Sequence, residues 1–81
     1  MSSDSKLRDK LKTYIATKKV QILKLTNDRI SYCNSHQLDP KVDLRIMQLG
    51  LQIKELSEVQ KVVGITNDEL LEELKIERDN K

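Results

Sequence analysis

After Pro40, one row of side chains recurs with a seven-residue period. Val42, Ile46, Leu49, Ile53, Leu56, Gln60 and Val63 stand four, three, four, three, four and three positions apart. Such spacing lines up along one side of an α-helix and predicts left-handed packing of that helix along another. Gln60 is the single polar member of the row, and a polar residue in such a layer selects register or partner number. Leu44, Met47 and Leu51 form a second apolar strip on the other side of the same segment. A two-helix hairpin covers one of these strips and leaves the other open to a further chain.

The preceding segment predicts a long first helix over about residues 5–34, with Asp4 or Ser5 as its N-terminal cap. At 100° per residue, Leu7, Leu11, Tyr14, Ile15, Ile22, Leu25, Tyr32 and Cys33 share one stripe. Lys18 and Arg29 interrupt it, and their methylene stems are expected along the seam with the charges in water. Val20, Leu23 and Ile30 lie off the stripe, which implies exposure or contact on a second side. The stretch Asn34-Ser35-His36-Gln37-Leu38 breaks the pattern. Asp39-Pro40 then supplies a cap and a proline at the first helical position of helix two, about residues 40–63. Since the residue before proline is pushed out of the helical region, a short turn is expected, making the two helices antiparallel neighbours.

Gly64 reads as a C-terminal cap, and Thr66-Asn67-Asp68-Glu69 as a capping box that opens helix three over about residues 67–78. Ile65 and Leu70 stand where a hydrophobic staple places them, Leu70, Leu71 and Leu74 form the apolar face, and the tail Asp79-Asn80-Lys81 is expected to fray. The expected fold is therefore all-α: an antiparallel helical hairpin plus a short C-terminal helix in one domain, completing a bundle or coiled coil by oligomerisation.

Composition agrees with that reading. Two glycines and one proline in 81 residues leave an all-β fold without its hairpin turns. A chain this short buries only about 60% of its unfolded surface, so a second copy or a partner adds stability. Charged residues make up 35% of the chain against about 25% in an average domain, and neither Phe nor Trp is present, which predicts a thin aliphatic core. Cys33 is the only cysteine, so no intrachain disulfide or cysteine-based zinc site forms, and a reduced, cytoplasmic setting is expected. No stretch has the length of a signal core or membrane span, so no membrane partner is expected.

Candidate chemistry is sparse. His36 lies near Cys33 in sequence, yet no third group orients the pair, and one His with one Cys falls short of a zinc ligand set. Gly50 and Gly64 lie too far apart for a phosphate loop. No catalytic, cofactor-binding or metal-binding residue is therefore expected.

Charge, by contrast, is uneven. Residues 1–29 hold eight Lys or Arg and three Asp, whereas residues 65–81 hold three basic and six acidic side chains. The hairpin brings these two sections together. Lys6, Arg8, Lys10, Lys12, Lys18, Lys19 and Lys24 make helix one a candidate phosphate-binding face. Val59 to Leu74 loosely resembles a helix-turn-helix, but its second helix carries Asp68, Glu69, Glu72 and Glu73, which phosphates repel.

The spacing of apolar residues is also similar to that of the short two-helix phosphatases of Gram-positive sporulation control. Their second helix carries a Ser-Gln-Glu-Leu-Asp signature, whereas this chain reads Met47-Gln48-Leu49-Gly50-Leu51 and lacks the acidic end. No activity or site residue carries over. The expected function is a non-enzymatic interaction module, a regulator or inhibitor that docks on a protein partner or pairs as a homodimer. Small bacterial and bacteriophage regulators share this size and texture. The association residues would be Val42, Leu44, Ile46, Met47, Leu49, Leu51, Ile53, Leu56, Gln60 and Val63. The alternatives are nucleic-acid binding through helix one and a structural or scaffolding role.

Overall fold

A computed structural model describes the backbone of residues 2–79 and the side chains of residues 6–75. The chain runs α1 (Ser2–Ser35), a turn of 3-10 helix (Pro40–Val42), α2 (Leu44–Val63) and α3 (Asn67–Asp79). The all-α hairpin with a short third helix is present as expected. α1 extends through Asp4 and Ser5, so neither caps it; Asp79 is still helical, while Asn80 and Lys81 lie outside the described residues. A 34-residue helix is about 51 Å long, and it sets the long axis of a plate measuring 53 × 30 × 16 Å. The radius of gyration is 15.3 Å, against about 12 Å for a compact domain of this length.

α1 packs against both α2 and α3 and serves as the common spine. Its inward side is not the stripe the aliphatic residues suggest. Ile15, Ile22 and Cys33 are buried and Leu11 is half-buried, but Leu7, Tyr14, Leu25 and Tyr32 face outward. The inward row reads Arg8, Lys12, Ile15, Lys19, Ile22, Thr26, Arg29 and Cys33, again four and three positions apart. Five of its eight members are polar: Arg8, Lys19 and Arg29 meet acceptors across the seam, while Lys12 lies near Asp9 and Thr26 bonds the Ile22 carbonyl within α1. Of the off-stripe residues, Val20 and Leu23 are exposed and Ile30 is half-buried.

The turn also differs from expectation. Asp39 caps only the 3-10 turn, accepting the Lys41 amide at 2.9 Å. Asp43 caps α2 instead, accepting the Ile46 amide at 3.0 Å. Asp43 wins because the same carboxylate also meets Arg29 of α1, which Asp39 does not. Val42 is thereby lifted out of the heptad row and is 67% exposed.

The second bend follows its sequence signals closely. Gly64 adopts φ 79°, its amide meets the Lys61 carbonyl at 3.2 Å, and the Ile65 amide meets the Gln60 carbonyl at 3.0 Å. These are the two bonds that close a helix through a left-handed residue. Thr66 and Glu69 bond reciprocally: the Thr66 amide to Oε1 and the Glu69 amide to Oγ1, each at 3.2 Å. Ile65 and Leu70 are buried with Ile15 and Ala16, and Leu11, Leu56, Val63 and Leu74 pack around them. A Cβ at position 64 meets nothing within 4 Å, so Gly64→Ala is expected to cost about 1 kcal/mol from backbone conformation alone. Urea unfolding checks this, with a lower midpoint at an unchanged slope as the expected result.

Candidate interaction surface

Three polar clusters join the helices. At one end, the Arg8 guanidinium forks onto Glu69, with Nη1 to Oε2 at 2.7 Å and Nη2 to Oε1 at 3.0 Å, and Nη2 also donates to the Gly64 carbonyl at 2.8 Å. One side chain thus ties α1 to the bend and to the first turn of α3. The Arg8 hydrogen bonds, helped by the Thr66 amide, hold the Glu69 carboxyl down at about 2. Nearby, Thr13 Oγ1 donates to Glu73 at 2.7 Å.

Mid-way, Lys19 Nζ donates to Gln60 Oε1 at 2.7 Å, and Gln60 Nε2 donates to Asn67 Oδ1 at 2.8 Å. The polar residue of the heptad row is therefore satisfied within the chain, and it fixes the register of α1 against α2. Gln60→Leu leaves the Lys19 ammonium without its acceptor in a half-buried layer and is expected to cost about 1–3 kcal/mol. Adding Lys19→Leu is expected to recover most of that loss, because an apolar pair can replace a matched polar one. Thermal unfolding of the single and double variants checks both outcomes.

At the other end, Arg29 Nε lies 3.1 Å from Asp43 Oδ1 and Nη2 lies 2.9 Å from Oδ2. The carboxylate side chain is only 10% exposed. Cys33 Sγ donates to the same Oδ2 at 3.5 Å. The Arg29 bonds, followed by the Ile46 amide, hold Asp43 down at about 2, while burial and then the Asp43 contact push the Cys33 thiol up. Arg29 also covers the Tyr32 ring at 4.5 Å, so its charge is engaged rather than left in water. His36 stacks on Tyr32 at 4.1 Å between centroids, with Nδ1 2.9 Å from the Tyr32 carbonyl, so thiol and imidazole are directed to different partners.

These clusters redistribute the candidate residues. Of the heptad row, Leu49 and Gln60 are buried and Ile46, Ile53, Leu56 and Val63 half-buried, all used within the chain. Leu44, Met47 and Leu51 remain on the side of α2 turned away from α1, and Val62 continues their line. Leu44 is 73% exposed and Val62 85%. Of the basic set, Arg8 and Lys19 are bonded internally and Lys12 lies 3.8 Å from Asp9. Lys18 stands over the Tyr14 ring at 5.9 Å, and Lys6, Lys10 and Lys24 are exposed.

No protein family, curated protein or solved structure matches this chain. Among the described residues, no group of three or more His, Cys, Asp or Glu side chains is placed to hold a metal ion. No helix there is long and apolar enough to cross a membrane.

Sequence reasoning missed two residues, one on the exposed side of α2 and one in the polar clusters. Val62 lies three turns beyond Leu51 on the same side of α2, past Glu55 and Glu58, and its position eleven residues after Leu51 is the signal that finds it. Asp43 escaped notice because Asp39-Pro40 offers the more familiar helix start, although Arg29 and Asp43 stand on either side of the turn as an obvious pair of opposite charges.

Proposed function

We propose that the chain is a non-enzymatic interaction module, a regulator or inhibitor that offers the outward strip of α2 to another protein and masks part of that partner's surface. The observation that carries this reading is the strip itself: Leu44, Met47, Leu51 and Val62 face outward on a helix whose other side is already occupied by α1. Surface area supports it. The chain exposes 6511 Å2, about 1500 Å2 more than a compact monomer of this mass, and a standard interface buries about 800 Å2 per partner. Apolar strips of this kind on small proteins mark association sites.

The test compares the intact chain with a Leu44→Glu/Leu51→Glu variant as bait in an extract of the native host. Both substitutions sit on exposed positions, so circular dichroism should report equal helicity. A partner retained by the wild type and lost by the variant supports the reading; equal retention overturns it. Size-resolved complexes from the same extract separate a regulator from a scaffolding component of a larger assembly.

Nucleic-acid binding is the second reading, and the line of exposed Lys6, Lys10 and Lys24 on α1 is what favours it. Titration of labelled duplex at several salt concentrations tests it, since phosphate contacts weaken steeply with salt.

A further inference from the structure

The outward side of α1 carries its own heptad row: Leu7, Leu11, Tyr14, Lys18, Gln21, Leu25, Asp28 and Tyr32, spaced four and three throughout. Leu7, Tyr14, Leu25 and Tyr32 are exposed along it, while Leu11 is half-buried against the core and Arg29 and His36 lie on the Tyr32 ring. α3 leaves this side clear, because its contacts with α1 run through Arg8, Thr13 and Ala16. From Tyr14 onward the row is self-complementary about position 23. Tyr14 lies nine positions before it and Tyr32 nine after; Lys18 and Asp28 lie five to either side; Gln21 and Leu25 lie two to either side.

We infer that this row pairs with the same row of a second copy, antiparallel and centred on position 23, so that Lys18 of each chain meets Asp28 of the other. The inference uses a different surface from the α2 strip and stands independently of it. A two-fold axis through the centre repeats every contact. Tyr14 then faces Tyr32, Gln21 faces Leu25, and the two Lys18–Asp28 layers place opposite charges in register and reject the parallel arrangement, in which Lys18 would face Lys18. The row occupies alternating a and d positions, and each pair joins an a to a d, as an antiparallel coiled coil requires. Tyr14 and Lys18 of the row also form one wall of a groove of about 310 Å3 whose other wall is Gln52, Glu55, Leu56 and Val59 of α2, so the second copy meets the edge of α2 as well as α1.

Sedimentation equilibrium of the full chain from low to high micromolar concentration is the experiment. A dimer is expected. Leu25→Lys, at a position already exposed in the single chain, should weaken it at least roughly tenfold without loss of helicity. Lys18→Asp and Asp28→Lys should each weaken it, and the combined Lys18→Asp/Asp28→Lys chain should return to within about threefold of wild type. Orientation is read with a spin label at Lys10→Cys: the antiparallel pair sets the labels about 39 Å apart, whereas a parallel pair sets them about 10 Å apart. A chain that stays monomeric, a double variant that is not restored, or a short label distance overturns the inference. So does a dimer abolished by Leu51→Lys but indifferent to Leu25→Lys, which would transfer self-association to α2. Loss of partner capture with the dimer intact bears on the α2 reading alone.

Discussion

Ile15→Ala is expected to remove about 3 kcal/mol of stability, enough to lower Tm by some 12–24 °C. Ile15 is 1% exposed and sits where α1, α3 and the bend converge, against Ala16, Ile65 and Leu70. The surroundings are held by the Arg8 fork and the capping box, so they have little freedom to collapse into the space left behind. Total stability for a chain of this length is about 4–12 kcal/mol, so the loss is a large share of it. Leu23→Ala is the internal control: the side chain is exposed, and the expected change stays within about 0.5 kcal/mol. Differential scanning calorimetry on both variants reads the contrast. Equal effects would show that the cluster around Ile15 is not the centre of the fold.

Asp43→Ala is expected to be the next most damaging change, because one carboxylate caps α2, receives the Arg29 fork and accepts from Cys33. Its loss opens the α2 N-terminus and leaves Arg29 beside a vacated site, with an expected Tm fall on the order of 10 °C. Asp43→Asn keeps an oxygen for the Ile46 amide but loses the charge and the acceptor that Arg29 Nη2 and Cys33 use, so the cap survives and a smaller fall is expected. Acid unfolding separates the charge from the cap. Asp43 and Glu69 both ionise at about 2 in the folded chain, below their ordinary values near 4. The unfolded chain therefore binds more protons in between, and stability rises with pH there. Their contribution is complete above about pH 5 and drains away as the pH falls towards 2. Asp43→Asn should flatten that slope, and the Arg8–Glu69 share should weaken with added salt, since those side chains are 39% and 30% exposed.

Much of this architecture is legible in the residues themselves. Gly64, the Thr66–Glu69 box and the Ile65–Leu70 staple define the second bend because capping is local: each partner lies within five positions of the other. The α2 row is legible from Ile46 onward, where aliphatic residues occupy every layer but the one at Gln60, whereas Val42 carries the same spacing and is lifted out by the Asp43 cap. α1 resists the same reading. Its inward row holds Arg8, Lys12, Lys19, Thr26 and Arg29, so counting apolar residues rotates the apparent seam towards Leu7, Tyr14, Leu25 and Tyr32. Arg8, Lys19 and Arg29 face inward because Glu69, Gln60 and Asp43 await them on other elements, and a pairing across 14 to 61 positions has no local signature. The charge asymmetry between residues 1–29 and 65–81 does announce that α1 and α3 attract, but it does not single out Arg8 and Glu69.

The distance between those two residues along the chain decides how far a local change reaches. Arg8 and Glu69 stand 61 positions apart, whereas Arg29 and Asp43 stand 14 apart, so closing the longer loop costs about 1.3 kcal/mol more chain entropy. The Arg8 clasp ties the first turns of α1 to α3, so a substitution near one end of the chain is felt near the other.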